Sequence, residues 1–259
     1  MPGKVYIVGA GPGAADLLTL RAASLLRSAK AVLHDDLVPP EILQLAPPAA
    51  QVINVGKRCG KRGATQEKIN ALMVEFAQQH ESVVRLKSGD PAVYGRLGEE
   101  LGALREAGIP FEIVPGITAA TAAAAAANFS LTDRRAASAL VVLTAHNCRG
   151  QSFSGLLFDP DQATYAIYMP GPDYAETARQ LVRLGLDEAT PCALVSHAGR
   201  EHQQIKFLSL SELELLPGIA APAILVVGKV VRSGNFAEST YFLEEIHESV
   251  RSTLENSTY

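Results

Sequence analysis

Carboxylates, basic side chains and small-residue loops recur along this chain in positions that could serve one site. Asp35 and Asp36 close the segment "AVLHDD", where a carboxylate could accept from a ribose hydroxyl. "GKRCGKRG" packs Lys57, Arg58, Lys61 and Arg62 together. Arg85 and Lys87 precede a glycine turn, Arg96 and Glu99 follow it, and Arg134 and Arg135 stand further on. Guanidinium forks suit bidentate binding of carboxylates, so the set points to an anionic partner. Three loops, "GAGPG", "KSGDPAVYG" and "VPGITAA", are built from small residues. Such loops let backbone approach a flat ligand closely.

The first loop poses an ambiguity. Gly9, Gly11 and Ala14 fit the G-x-G-x-x-G/A spacing of dinucleotide sites, with Asp35 and Asp36 about where a ribose-binding carboxylate would stand. A pyrophosphate wants free N–H groups at a helix N-terminus. Pro12 offers no N–H, and "GAADLLT" separates the loop from the next helical pattern. The dinucleotide reading therefore rests on a lone and imperfect match.

The elements that must hold these residues alternate between two periods. "KVYIVGA", "AVLHDDLV", "QVINVGK", "SVVRLKSGDP" and "FEIVPG" read as strands. "DLLTLRAASLLRSA", "TQEKINALMVEFAQQH" and "LGEELGALREAG" read as helices, the second opened by Thr65. The strands are apolar runs rather than alternations, as in a parallel sheet covered on both faces. All three loops then leave the carboxyl ends of strands and share one edge of the sheet. After about residue 130 strands dominate: "SALVVLTAH", "TYAIYMPGP", "PCALVSHAG", "QIKFLSLSELEL" and "PAILVVGKVV", with one clear helix, "YAETARQLVRLG". The expected architecture is α/β. An N-terminal domain, residues 1–117, carries a mostly parallel sheet, and a second, 118–235, a mixed one. A tail, 236–259, places Phe242, Ile246, Val250 and Leu254 at near-helical spacing.

Composition narrows the partners. The chain has 259 residues, 47% of them hydrophobic, which suits one large or two globular domains. A net charge of −4 gives no overall basic field for nucleic acid. Cys59, Cys148 and Cys192 are far apart, so neither a zinc site nor a disulfide framework is expected, and a reducing cytoplasm fits. The chain enters a strand at once, so no secretory leader is expected. No stretch approaches the roughly 20 apolar residues of a membrane span. The alanine run "AATAAAAAAN" reads as a helix packed close to a neighbour.

The motifs together are more specific than any one of them. "VGAGPG" with "LLTLRA", "DLVPPEIL", "GKRCG" with "QEKIN", "RLKSGDPAVYGRLGEE", "VPGITAA", "SLTDR" and "IYM" follow in this order over residues 4–232. In this the chain resembles the uroporphyrinogen-III C-methyltransferases of the tetrapyrrole methylase superfamily. The resemblance implies a two-domain α/β fold and a homodimer, with S-adenosyl-L-methionine (SAM) folded in the cleft between the domains. It implies methylation of uroporphyrinogen III at C2 and C7 to precorrin-2, with S-adenosyl-L-homocysteine as the other product. The pathways served would be those of sirohaem and cobalamin, and the acceptor an anionic tetrapyrrole. A donor without a pyrophosphate also removes the objection raised by Pro12.

By the same resemblance Asp35 and Lys57 take acid–base parts, and Glu99 is a proton acceptor. Arg96 and Arg134 grip the acceptor. Apart from the resemblance, Lys61, Arg62 and Arg135 read as solvated surface charges. SAM contacts would come from Pro12, Ser88, Gly89, Asp90 and Val93, and further from Thr118, Ala119, Met169 and Ala198. No metal is implied. Plainer readings stand beside these. Met169 could be core filling, and Glu99 and Glu100 could be ordinary first-turn helix charges. The chain departs from the family pattern at Asp36, Ala92, Leu97 and Asp133, which keeps open a methyltransferase of this fold with a different acceptor.

Overall fold

The computed structural model describes residues 2–56, 65–145, 159–171, 173–216 and 219–234. The chain divides into two compact units, Met1–Ala122 and Ala123–Tyr259.

In the first unit, strands β1 (Lys4–Gly9), β2 (Ala31–His34), β3 (Gln51–Asn54), β4 (Ser82–Lys87) and β5 (Phe111–Val114) form one sheet in the order β3-β2-β4-β1-β5. Every pairing is parallel. Helices α1 (Leu20–Ser28) and α2 (Pro40–Leu43) cover one face through Leu25, Leu26 and Ile42. Helices α3 (Gln66–Gln79) and α4 (Leu97–Glu106) cover the other through Met73, Phe76 and Leu104. Burial on both faces explains the unbroken apolar runs in β1 and β4.

Local chemistry sets the helix starts. The Ala22 amide donates to Thr19 Oγ1 at 3.1 Å, and the Lys68 amide donates to Thr65 Oγ1 at 3.3 Å. Each hydroxyl satisfies one of the orphan donors of a first turn. The sequence pattern places a helix from Asp16. Instead a single 3-10 turn, Ala15–Leu17, comes first, and α1 begins only after its Thr19 cap.

In the second unit, β6 (Ala139–Thr144), β7 (Ala163–Tyr168), β8 (Pro191–Ser196), β9 (Gln204–Ser209) and β10 (Ala223–Val227) are ordered β6-β7-β10-β8-β9. Only β6 and β7 pair in parallel, so the sheet is mixed. Helices α6 (Tyr174–Arg183) and α7 (Leu210–Leu215) pack on one face through Leu181 and Leu213. The reading of "QIKFLSLSELEL" as one strand is corrected. Ser209 and Glu212 form a capping box that ends β9 and starts α7.

The alanine run is helix α5 (Ala119–Ala126), and the division between the units falls within it. Ala123 is fully buried, and Ala124 and Ala127 join Phe129, Phe207 and Val226 in a core of the second unit. Small side chains permit that closeness. The tail expected to be helical, with Phe242, Ile246, Val250 and Leu254, lies outside the described residues.

Candidate functional site

Strands β4, β1 and β5 are neighbours and run the same way, so the loops after Gly9, Lys87 and Val114 leave one edge of the first sheet. Backbone contacts join them. The Gly11 amide donates to the Gly89 carbonyl at 3.1 Å and the Gly89 amide to the Gly11 carbonyl at 2.8 Å. A Cβ on Gly9 would lie 2.6 Å from the Gly116 nitrogen, and one on Gly116 would run into the Gly89 carbonyl oxygen. These two glycines are required by space. Gly89 is required by conformation: its φ is +67°, and a Cβ there would meet nothing within 4 Å.

Asp90 holds two of the loops together. Its Oδ1 accepts from the Ala92 amide at 2.8 Å and its Oδ2 from the Gly116 amide at 3.0 Å. Beside it the Ser88 hydroxyl is buried with no partner among the described residues. Pro12, Val93, Thr118 and Ala119 are all half-buried. The first loop lacks the helix N-terminus that a pyrophosphate needs. Helix α1 starts at Leu20, and the hydroxyl of Thr19 already serves its first turn.

Next to these loops lies a group of four charges, three of them buried. Arg85 of β4 is 2% exposed, and its guanidinium reaches in two directions. Nη2 donates to Asp35 Oδ1 at 2.5 Å, and Nε donates to Glu100 Oε1 at 2.9 Å. Nη1 donates to the Leu33 and Leu86 carbonyls. Lys87 Nζ donates to the same Glu100 Oε1 at 2.9 Å. Glu100 is fully buried, and its Oε2 has no partner among the described residues. Burial opposes the charge on Arg85, but Asp35 and Glu100 outweigh it and hold its pKa above the ordinary value. Burial, helped by the Arg85 charge, pushes Lys87 below the ordinary lysine value.

Sequence reasoning named Asp35 but missed Glu100 as its indirect partner. A signal was present. Glu100 shares the helical spacing of Leu97, Leu101 and Leu104, the apolar stripe of α4 that packs on the sheet. Arg85 and Lys87 alternate with Val84 and Leu86, so they point to that same face.

Other candidates sit in open surroundings. Arg96 has a left-handed backbone, φ 54°, and caps α4. Its Nε and Nη2 donate to Glu99 Oε1 and Oε2, both at 2.7 Å, with the two side chains 48% and 51% exposed. Asp36 accepts from Asn54 Nδ2 at 3.0 Å, and Asn54 Oδ1 accepts from the Gly56 amide at 2.8 Å. Lys57 lies outside the described residues, as do Arg58, Lys61 and Arg62.

The second unit carries the remaining three. Strands β7 and β8 both pair antiparallel to β10, so Met169 and Ala198 follow strand ends on one edge of that sheet. Met169 is 46% exposed with φ 48°, so it is not core filling. Ala198 is buried just after His197. Arg134 is exposed in the turn leading into β6, at the opposite end of its strand. Its neighbour Arg135 forks onto Asp133, and these hydrogen bonds hold the Asp133 carboxyl down to about 2.

Residues 4–214 match the family of Tetrapyrrole (Corrin/Porphyrin) Methylases. Siroheme synthase 1 of Yersinia enterocolitica is 46% identical over 232 residues, which is 88% of this chain and 49% of that protein. The chain thus spans about half the length of the curated relatives it matches. The native form of uroporphyrin-III C-methyltransferase from Thermus thermophilus superposes with a TM-score of 0.77 at 36% identity, over 89% of this chain and 99% of that one. The complex of the Thermus thermophilus enzyme with S-adenosyl homocysteine gives 0.76 at 35% identity, over 89% and 94%.

Proposed function

This chain belongs to the tetrapyrrole methylases, and from that premise we propose that it is a SAM-dependent C-methyltransferase of uroporphyrinogen III. The products would be precorrin-2, methylated at C2 and C7, and S-adenosyl-L-homocysteine. The observation that carries the reading is the edge of the first sheet. Three loops in backbone contact stand beside a carboxylate that a buried arginine holds in place.

The residues at that edge fit SAM. The turn at Gly89 is an open cradle that a Cβ would fill, and the adjacent Ser88 hydroxyl lacks a partner among the described residues. When bound, SAM supplies an electrophilic methyl group on a sulfonium. The chain's own part is alignment of that methyl with a pyrrole carbon, where much of the rate gain arises. Pro12, Gly89, Val93, Thr118 and Ala119 would form apolar and backbone walls, and Asp90 would keep the loops in register. Met169 offers a soft surface suited to adenine, and Ala198 a small wall.

Methylation leaves positive charge on the macrocycle, so a proton must depart. Asp35 would accept it, a role supported by the anchoring of its Oδ1 by Arg85 and by a side chain that remains 29% exposed. Lys57 would complete the acid–base pair. Arg96 and Arg134 would hold acceptor carboxylates, and Arg96 would exchange its Glu99 partner for one of them. Glu99, once released, could serve as a second proton acceptor. A homodimer in the cytoplasm is the working form of this reading.

The test is incubation with SAM and freshly made uroporphyrinogen III, with products separated by mass. Mono- and dimethylated products are expected. Their absence, beside a control enzyme that works, would sink the assignment of the acceptor. Calorimetry with S-adenosyl-L-homocysteine then shows independently whether the donor site exists.

A further inference from the structure

Glu100 belongs to no part of the reaction described so far, yet it is the most deeply buried charge at the site. Its Oε1 receives both Arg85 Nε and Lys87 Nζ, each at 2.9 Å. Arg85 spends its other edge on Asp35. Lys87 also touches the neighbouring turn: a Cβ on Gly95 would lie 3.1 Å from Lys87 Cε and 2.5 Å from the Pro91 carbonyl oxygen. One carboxylate oxygen therefore fixes two cations. The first aims at Asp35, and the second supports the turn that carries Arg96.

We propose that Glu100 is a positioning residue that holds the Arg85 guanidinium in the orientation that anchors Asp35, and holds Lys87 beneath the turn at Gly95. Arginine has rotamer freedom to lose, and buried backbone carbonyls alone accept only from Nη1. The bond from Nε to Glu100 fixes the plane of the fork, so Nη2 can point only toward Asp35. Charge balance supports the same arrangement. Two cations face two carboxylates, and removing Glu100's charge leaves both cations competing for Asp35. That competition would turn Asp35 away from its exposed, proton-accepting direction.

The vacant Oε2 makes the test clean. In Glu100→Gln the acceptor Oε1 can stay in place while the amide NH2 takes the side that has no partner among the described residues. Shape is kept and charge is lost. This proposal rests on Asp35 as proton acceptor, so two readouts are combined. In the kinetic one, E100Q lowers kcat for methyl transfer at least tenfold with the KM for SAM within twofold. In a D35N background the same change costs less than twofold, because the residue it positions is gone. In the structural one, a crystal structure of E100Q shows Lys87 Nζ drawn toward Asp35 and the Arg85 Nη2–Asp35 Oδ1 contact lengthened, the competition that loss of the Glu100 charge releases.

Wild-type kcat in E100Q, or effects of E100Q and D35N that multiply independently, would overturn the proposal. So would an Arg85–Asp35 contact unchanged in the E100Q crystal. If the wild-type enzyme fails to methylate uroporphyrinogen III, the acceptor reading falls, and the crystal arm still decides the positioning. If E100Q does not fold, Glu100→Asp, which keeps the charge but draws the carboxylate back from Arg85 Nε and Lys87 Nζ, carries the same measurements.

Discussion

Two glutamates stand side by side in the first turn of α4, each engaged by an arginine. Glu100 turns inward and takes Arg85 and Lys87 in full burial. Glu99 turns outward and forks with Arg96 in half-exposed surroundings. The bond lengths barely differ, 2.9 Å inside and 2.7 Å outside. What differs is the surrounding medium. Water and salt screen the outer pair, and holding two long side chains together costs rotamer entropy, so such pairs contribute about 0–1 kcal/mol. Glu100, Arg85 and Lys87 are cut off from solvent, so losing one of them strands the others. The inner set is therefore a fixed frame and the outer one an exchangeable grip.

The largest effect that would test this contrast is on stability. Glu100→Ala should cost about 3–5 kcal/mol in urea unfolding, whereas Glu99→Ala should stay within about 0.5 kcal/mol. Raising salt to about 1 M, where the Debye length is roughly 3 Å, should leave the first loss unchanged. Equal losses would show that burial does not distinguish the pairs.

Next comes the frame of the loops. Gly116→Ala drives a Cβ into backbone that cannot yield, at about 1–3 kcal/mol, and should weaken S-adenosyl-L-homocysteine binding in calorimetry. Unaltered affinity would detach the loop contacts from the donor site. A smaller effect is expected at the grip. Arg96→Ala should raise the KM for the acceptor about tenfold, equivalent to about 1.4 kcal/mol, with Tm nearly unchanged. A kcat loss without a KM change would assign Arg96 to the frame instead.

The smallest effect concerns a second exposed fork. Arg135 holds Asp133 below its usual 3.8, down to about 2. The folded pKa is depressed, so this pair's contribution is present above about 3.8 and is lost as pH falls through about 2. Thermal melts at pH 5 and pH 2 should differ slightly less for Asp133→Asn than for the wild type. A larger difference in the variant would reverse the sign.

Much of this arrangement is legible in the chain itself. The apolar runs imply a parallel sheet, and carboxyl ends of parallel strands must share an edge, so "GAGPG", "KSGDP" and "VPGIT" come together. Where reading failed, either a local capping signal was passed over or the outcome depended on tertiary context. "QIKFLSLSELEL" looks like a strand because its apolar residues continue, and only the Ser209–Glu212 box marks the switch to helix. Met169 reads equally well as core or as surface, because its exposure depends on where β7 stops.

By itself the sequence determined the order of the elements, the three glycine loops and the presence of two glutamates at the start of α4. Periodicity and steric limits act over a few residues, so those features are written locally. Only the tertiary structure decided which arginine the buried glutamate holds, and that one oxygen serves two cations. Those contacts join β2, β4 and α4 across 13 to 52 positions of chain. Their strength comes from the exclusion of water, a property of the packed fold and of no single segment.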